Sequence, residues 1–235
     1  MRASAKEEDR LAEAVYQRVK SDIYEFRLLP GGRFSENAIA ARARVSRTPV
    51  REALMRLQRE GVLQVHPKSG WSVQPLDFER FEHLYDARIV LELDAVRKLC
   101  EEERSGAAQA RLAALRKAWL VAPKRRLGGW IEVAQLDEAF HETLVGAAGN
   151  PELARMHAEV TERIRIVRRL DFTQAERIQH TYEEHAAILR AILARKAQQA
   201  ALLLRSHIEQ SKLEVRKISI HRLHLAHLAA RPRRA

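Results

Sequence analysis

The sequence predicts a mostly α-helical protein, with an N-terminal winged helix-turn-helix and a C-terminal, all-α antiparallel bundle of six helices. Two short helical patterns joined by a tight turn, followed by two short strand patterns, occupy residues 36–73. After residue 77 the apolar residues recur at helical spacing and no strand pattern returns. The composition agrees, because only 6% of the residues are aromatic while Ala, Leu, Arg and Glu dominate.

A first helix is predicted over residues 7–28, where Leu11, Val15 and Val19 recur at steps of four and share one face. The sequence Leu-Pro-Gly-Gly that follows is a strong helix terminator. The winged motif therefore begins after a long amphipathic helix that has one face to bury.

The helix-turn-helix is predicted within residues 37–61, NAIAARARVSRTPVREALMRLQREG. Its first helix covers about 36–43, and Val45 fills the turn. Ser46 is the predicted N-cap of the second helix, because its hydroxyl can accept a free backbone N–H. Pro49 then falls in the first turn, where its missing N–H is tolerated.

The second of these helices has two faces of different chemistry. Leu54 and Leu57 belong to an apolar face, whereas Arg47, Thr48 and Arg51 lie on another face, near the N-terminal end. Short polar and basic side chains in this position are what a recognition helix needs to meet base edges and phosphates. On this pattern alone, a helical hairpin with a solvated basic face stays open as the alternative.

A β-hairpin is predicted after Gly61, which ends the second helix. Residues 62–65 and 71–73 have strand patterns and are joined by a His-Pro-Lys-Ser-Gly turn. The hairpin is a wing, so the motif is a winged helix. Gly70 at the wing tip lets the backbone approach a sugar–phosphate surface closely, and Lys68 is placed to meet a phosphate.

Residues 29–73 resemble the DNA-binding half of the GntR family of bacterial transcription regulators. The matching positions are Pro30, Gly31, Glu36, Ala40, residues 45–54, Leu57, Gly61, Gly70 and Val73. The resemblance implies that Arg47, Thr48 and Arg51 contact operator DNA. It also implies that Gly70 lies against the minor groove.

Two residues depart from the family pattern within this motif. Asn37 stands where many members carry a basic residue, and Trp71 is bulkier than the residue usual after the wing glycine. The complete set of DNA-binding residues that we predict is Glu36, Asn37, Arg47, Thr48, Arg51, Lys68 and Gly70.

The charge of the chain favours a polyanionic partner. The 235 residues carry a formal net charge of +11 and a pI of about 10.3, although charge alone does not separate nucleic acid from a membrane surface. No stretch approaches the roughly 18 consecutive apolar residues of a membrane span, and residues 1–10 lack the apolar core of a signal peptide. Cys100 is the single cysteine, so we expect a cytoplasmic protein without an internal disulfide or a membrane partner.

The predicted domains follow from the change of pattern near Pro75. They are a DNA-binding domain at 1–74, a linker at 75–77, a helical effector-binding and dimerisation domain at 78–228, and a basic tail at 229–235. The six helices of the second domain are predicted at 78–103, 107–121, 130–148, 151–170, 173–195 and 197–228. Such helices form antiparallel bundles that can enclose a small central site.

Four potential metal ligands stand beside the apolar stripes of three predicted helices. Asp137 and His141 are four residues apart and share one helical face, while His185 and His207 lie on the fifth and sixth helices. We call these four residues the Asp–His cluster. Imidazole and carboxylate are good ligands for Zn, Ni, Mn or Fe. From spacing alone, ordinary core or surface histidines remain the alternative, since the chain has ten.

Residues 77–217 resemble the FCD-type helical effector domain of the FadR subgroup within the GntR family. The matching residues are 85–88, Leu91, Glu92, Asp137, Phe140, His141, Asn150, Pro151, Glu184, His185, Ile188, Leu189, Ala191, Ile192, Arg205 and His207. The resemblance implies that the Asp–His cluster holds a divalent metal ion. It also implies a small carboxylic acid bound against that metal, with Arg88 as its partner. A buried ion pair of Arg88 with Asp137 or with a glutamate is the alternative.

These features together predict a DNA-binding transcription regulator, and specifically a repressor, whose operator affinity is controlled by the carboxylate at the metal. We expect it to bind a pseudo-palindromic double-stranded operator as a homodimer, with one recognition helix in each half-site. A metal-stabilised regulator without a small-molecule effector is the nearest alternative.

Two other classes of protein fit the sequence less well. A helical-bundle metalloenzyme would use Glu138 and His141 as a Glu-x-x-His pair, but no second pair and no nucleophile accompany them, so we predict no catalytic residues. A protein that binds RNA or a membrane surface would need an aromatic platform or a basic amphipathic face. The arginines are instead spread through helices that also carry acidic residues.

Overall fold

The computed structural model of the protein describes residues 2–218 and 225–227, with side chains from residue 7 onward. The chain divides into two compact units. The first unit contains the residues up to Asp77 together with residues 225–227, and the second contains Phe78–Ile218. Each unit has its own buried core.

The first unit is a three-helix winged motif. Its elements are α1 (Arg2–Tyr24), β1 (Arg33–Phe34), α2 (Glu36–Ala43), α3 (Arg47–Arg59), β2 (Leu63–His66) and β3 (Gly70–Val73). The strands form an antiparallel sheet in the order β1-β3-β2. The predicted winged helix-turn-helix is therefore confirmed, and β1 is an additional strand that the sequence did not predict. It adds to the wing because Phe34 pairs with Trp71.

The turn between α2 and α3 differs in one detail from the prediction. Ser46 occupies the N-cap position of α3, but its hydroxyl makes no capping hydrogen bond. An N-cap side chain usually accepts from the backbone N–H at the second or third helical position. The third position here is Pro49, which has no N–H to donate. The corresponding bond does form at α2, where the Ser35 hydroxyl accepts from the backbone N–H of Ala38.

Helix α3 is held by its apolar face, which leaves its basic face exposed. Val50, Leu54 and Leu57 are fully buried, and the face of α1 that includes Val19 supplies much of the surrounding core. A polar contact fixes the far end of α3, where the Tyr16 hydroxyl lies 2.8 Å from a carboxylate oxygen of Glu60. The recognition helix is thus anchored along its length to α1.

Residues 225–227 belong to the first unit rather than to the helical domain. Ala226 is buried, and the Nδ1–H of His227 donates to the backbone carbonyl of Phe26 over 2.7 Å. The predicted extension of the second domain to residue 228 is therefore not what the described residues have, because this segment is bonded to the turn after α1. The predicted tail at 229–235 lies outside the described residues.

The second unit is an all-α bundle. Its helices are α4 (Phe78–Glu101), α5 (Gly106–Trp119), α6 (Trp130–Ala147), α7 (Pro151–Phe172), α8 (Ala175–Leu193) and α9 (Ala197–Arg216), with a short 3-10 turn at Pro123–Arg125. Six helices were predicted in this part of the sequence, and their bounds agree to within two residues except at the end of α9. Capping explains two of the starts, since Ser105 and Asn150 accept backbone N–H groups of α5 and α7.

The inner surface of this bundle is unusually polar. Helices α4, α6, α7, α8 and α9 each contribute buried titratable side chains among the apolar residues of the core. Within residues 2–218 and 225–227, no helix combines the length and the apolar character that crossing a bilayer requires.

The wing offers a direct test of this fold at Gly70. Its φ of +87° is strained for other residues, and an added Cβ would lie 2.7 Å from the Phe34 carbonyl oxygen. We expect Gly70→Ala to lower the free energy of unfolding of the first unit by about 1–3 kcal/mol. Urea unfolding and hydrogen exchange of the wing strands would measure the loss. Gly128→Ala is the matched control, since a Cβ at Gly128 meets nothing within 4 Å; equal stability of the two variants would contradict the register of β1 and β3.

Candidate metal centre and DNA-binding face

Three helices of the second unit bring the Asp–His cluster together. Helix α6 carries Asp137 and His141 one turn apart, α8 carries His185 and α9 carries His207. All four side chains are buried, and each offers a ligand atom within 4.8 Å of the other three. The sequence predicted these four residues, and the fold places them at one point.

The separations within the cluster fit a metal ion. The Nε2 atom of His207 lies 3.3 Å from Nε2 of both His141 and His185, and Asp137 Oδ1 lies 3.3 Å from His185 Nε2 and 3.6 Å from His141 Nε2. Ligands about 2.0–2.1 Å from a tetrahedral metal ion are separated by roughly 3.3–3.4 Å. The donor atoms therefore already have the spacing that a small divalent cation requires.

Two outer carboxylates turn the histidine rings toward the centre. Glu92 Oε2 lies 2.6 Å from His141 Nδ1, and Glu184 Oε2 lies 2.7 Å from His207 Nδ1. Each carboxylate accepts a hydrogen bond from Nδ1–H. The lone pair of each ring is therefore on the Nε2 that faces the cluster. This outer arrangement is the one that accompanies histidine ligands in metal sites.

The ring of His185 is fixed by packing instead. It stacks on Phe140 with a centroid distance of 3.9 Å and meets Trp119 at 4.1 Å. Its Nδ1 has no hydrogen-bond partner in the described part of the chain. These two aromatic side chains therefore fix the position of the His185 ring.

The buried site keeps the rings of His185 and His207 neutral and the Asp137 carboxylate charged. Burial lowers the pKa of His207 to about 4 and lowers the pKa of His185 well below its usual value. Burial alone would raise the pKa of Asp137, but the Arg168 guanidinium and the contacts with His141 and His185 together outweigh it, and the pKa lies well below its ordinary value. Neutral imidazole and ionised carboxylate are the forms that bind a metal.

Sequence reasoning missed Arg168 and the outer carboxylates. Arg168 Nη2 donates to Asp137 Oδ2, which leaves Oδ1 toward the histidines. Arg168 lies in a stretch of α7 with several other arginines, so its spacing gave no signal that this one is buried. Glu92 follows Arg88 by one helical turn, and that spacing could have suggested a pair.

Arg88 is the predicted effector-binding residue and is almost fully buried in α4. Its Nε donates to Glu92 Oε1 over 2.6 Å, so the alternative of an ion pair with a glutamate occurs in the structure. Asp137 pairs with Arg168 rather than with Arg88. Arg88 Nη2 nevertheless has no hydrogen-bond partner among the described residues. The pair with Glu92 therefore leaves one end of the guanidinium available.

The predicted DNA-binding residues surround one concave surface of the first unit. Residues of α2, α3 and the wing line it, including Glu36, Asn37, Arg47, Arg51, Lys68 and Gly70. Thr48 lines the adjoining surface with the same two arginines. The backbone turns sharply at the wing tip, where both Lys68 and Gly70 have positive φ.

Glu36 organises the basic side chains of this surface. Its carboxylate accepts from Arg47 Nη2 at 3.0 Å and lies 3.8 Å from Arg51 Nε. Trp71 Nε1 also donates to Glu36 over 3.4 Å, which gives this bulky wing residue a structural role that the sequence had left open. These contacts link α2, α3 and the wing and hold two exposed guanidinium groups beside one another.

The comparisons with known proteins match both units. A family described as "Bacterial regulatory proteins, gntR family" matches residues 11–73, and the FCD domain matches residues 83–210. The chain is similar to the Nta operon transcriptional regulator of Aminobacter aminovorans, with 36% identity over 187 residues that cover 80% of this chain and 85% of the relative.

Two further comparisons cover most of the chain. It is 31% identical to the uncharacterized HTH-type transcriptional regulator BphR of Paraburkholderia xenovorans (strain LB400) over 218 residues, which are 90% of this chain and 88% of the relative. The solved structure of E. coli McbR/YncC has a TM-score of 0.68 at 23% identity and covers 88% of this chain and 97% of that one. The similarity to this solved structure shows the fold alone.

The lowered histidine pKa values predict that acid destabilises the metal-free second unit. The ordinary pKa of histidine is 6.5, whereas the pKa of His207 in the folded chain is about 4. Between these two pH values, the unfolded chain binds a proton at His207 that the folded chain does not bind. The free energy of unfolding should therefore fall as the pH is lowered, by up to about 1.4 kcal/mol per pH unit for each such histidine. Urea unfolding between pH 6.5 and 5 would measure this slope, and the variants below separate the histidine contribution from that of carboxylates that begin to titrate near pH 5.

His207→Gln should reduce that slope, whereas His180→Gln, at an exposed position of α8, should leave it unchanged. Equal slopes in all three proteins would show that His207 titrates normally in the folded state. Added divalent metal should raise the free energy of unfolding but leave this slope in place, because the metal-bound rings stay unprotonated while the unfolded chain still takes up protons.

Proposed function

Since the chain belongs to the GntR family of bacterial transcription regulators and carries an FCD domain, we propose that a small carboxylate bound at a metal ion controls its affinity for operator DNA. The protein is a DNA-binding regulator and not an enzyme. The convergence of the Asp–His cluster is the observation that carries the proposal. The FCD domain, by the same proposal, is of the FadR-subgroup type.

The metal ion is held by Asp137, His141, His185 and His207. Three imidazole Nε2 atoms and one carboxylate oxygen suit Zn, Ni, Mn or Fe, and their spacing needs little adjustment. Bound there, the metal supplies a positive charge that attracts the oxygen atoms of an acid. Glu92 and Glu184 keep two of the rings in the tautomer that binds metal.

The effector is a small carboxylic acid. The free Nη2 of Arg88 lies in the same buried network as the metal ligands, because Glu92 joins Arg88 to His141. A guanidinium is well suited to a carboxylate by charge and by geometry. The ion pair between Arg88 and Glu92 is also compatible with the alternative of a metal-stabilised regulator without an effector. In that alternative, Arg88 only neutralises Glu92.

The operator is read by the face of α3 that α1 does not cover. Arg47, Thr48 and Arg51 contact base edges and phosphates, while the wing tip at Lys68 and Gly70 follows the backbone. Glu36 and Asn37 border the same surface. A homodimer places one copy of α3 in each half-site of a pseudo-palindromic operator. A protein bound in this way excludes others from the same DNA, so we propose that it represses.

The coupling between effector and DNA follows from the helices that share the metal. The ligands come from α6, α8 and α9, so metal and acid together fix the arrangement of three helices. An effector changes DNA affinity only to the extent that it binds one arrangement more tightly than another. The proposal therefore requires that the binding of metal and the binding of acid both change the affinity for the operator.

The recognition helix is tested by Arg51→Ala. We expect the affinity for an operator, selected by the wild-type protein from random duplexes, to fall by about 1–3 kcal/mol at fixed salt. Fluorescence anisotropy with a labelled duplex measures the change. Arg18→Ala removes an equal charge from the exposed face of α1 and should have little effect. If the two variants lose affinity equally, Arg51 contributes only through general charge.

The metal centre is tested by His185→Ala. We expect this variant, after purification from metal-supplemented medium, to contain far less metal than the wild type, because one of four ligands is missing. Elemental analysis measures the content. Trp119 lies 4.1 Å from His185, so quenching of tryptophan fluorescence by added Ni²⁺ is a second readout. His180→Ala, on the exposed face of α8, is the control. Full metal content in His185→Ala would refute the site.

A further inference from the structure

Two buried arginines flank the Asp–His cluster, and each has an unused nitrogen. Arg88 in α4 is 1% exposed and Arg168 in α7 is 4% exposed. Arg88 Nη2 and Arg168 Nη1 have no hydrogen-bond partner within the ranges that the structure describes. A buried charged donor without a partner is unfavourable, since it has lost water and gained nothing in exchange.

Not every buried guanidinium of this core has an unused nitrogen. Arg177 in α8 is also buried, yet all three of its nitrogens are paired. Its Nε donates to Asp171 at 3.1 Å, its Nη1 to Glu184 at 2.8 Å and its Nη2 to the Ser211 hydroxyl at 3.0 Å. The fold can therefore satisfy a buried guanidinium completely. The incomplete pairing of Arg88 and Arg168 distinguishes them from this neighbour.

The two arginines are tied to adjacent ligands of the cluster. Arg168 donates to Asp137 itself, and Arg88 donates to Glu92, whose other oxygen lies 2.6 Å from His141. Asp137 and His141 are one turn apart on α6. The ring of Tyr85 lies 5.8 Å from the Arg88 guanidinium, and both arginines act electrostatically on this buried phenol. Arg88 and Arg168 therefore belong to one neighbourhood at one edge of the cluster.

The charges of this neighbourhood balance until a metal is added. Asp137 pairs with Arg168, and Glu92 pairs with Arg88, so each carboxylate offsets the charge of one guanidinium. A divalent cation then leaves two positive charges in a buried region. A monocarboxylate compensates one of them, whereas a dicarboxylate compensates both.

Building on the proposed carboxylate effector, we propose that the effector is a dicarboxylic acid. One carboxylate binds the metal ion, and the other binds the free nitrogens of Arg88 and Arg168. Arg168 is thereby a specificity-determining residue that also orients Asp137. The same contacts would reject a monocarboxylate of equal length, because its apolar end would face two unpaired guanidinium nitrogens.

The experiment compares acids of equal chain length on metal-loaded, full-length protein. Isothermal titration with succinate against butyrate, and with glutarate against pentanoate, measures the preference for a second carboxylate. We expect at least one dicarboxylate to bind about tenfold or more tightly than its monocarboxylate partner, as a charge-assisted hydrogen bond to a buried group implies.

Arg168→Lys separates specificity from metal binding. A lysine keeps the charge and can still donate to Asp137, but it lacks the second terminal nitrogen. We expect this variant to lose most of the preference for the dicarboxylate over its monocarboxylate partner, with both affinities measured on protein whose metal content has been determined. Arg165→Lys is the control, because it makes the same change one turn away, where the side chain pairs with Glu138 and Glu162. We expect this control to keep the preference for the dicarboxylate.

The outcomes distinguish this inference from the function on which it rests. Equal binding of both acids to the wild type overturns the dicarboxylate and leaves the carboxylate effector intact. A preference that Arg168→Lys leaves unchanged, with its metal content confirmed by elemental analysis, overturns the role of Arg168. Binding of none of the four acids to metal-loaded protein counts against the carboxylate effector itself, and the inference then falls with it.

Discussion

The buried ion pair between Asp137 and Arg168 determines how the helical unit is organised. Arg168 takes one oxygen of the carboxylate, so the other oxygen is turned toward His141 and His185. Two of the rings are in turn oriented by Glu92 and Glu184, and these carboxylates are neutralised by Arg88 and Arg177. Because a buried charge must be paired, one carboxylate at the centre requires a network that reaches five helices.

A network of this kind is a poor way to stabilise a bundle, since apolar side chains of equal volume are often at least as stable. The proposed cation would account for its arrangement. Nε2 of His207 lies 3.3 Å from two other imidazole nitrogens, and the Nδ1–H groups held by Glu92 and Glu184 direct the Nε2 lone pairs of His141 and His207 at one another. A divalent ion bound there, as proposed, would replace this repulsion with four bonds and would couple metal binding to the stability of the unit.

Helical periodicity places residues on the faces of a helix, and this was the part of the site that the sequence could predict. Asp137 and His141 share a face by spacing, and the other two ligands stand beside apolar stripes. The contacts that could not be predicted join distant residues, since Arg168 is 31 positions from Asp137 and Glu92 is 49 from His141. In the first unit the failed cap at Ser46 was foreseeable in principle, because Pro49 removes the donor. The docking of His227 on Phe26 had no local signal at all.

That docking bears on how the two units are connected. The chain leaves the first unit after Asp77 and is again part of it at residues 225–227, so the helical unit is joined to the DNA-binding unit at both of its ends. Helix α9, which carries His207, is the last helix of the bundle before that second junction. Under the proposed metal control, a change in α9 would reach the first unit through this second connection of the chain. Within the first unit, α1 supplies the surface on which α3 packs, and His227 is bonded to the turn that follows α1.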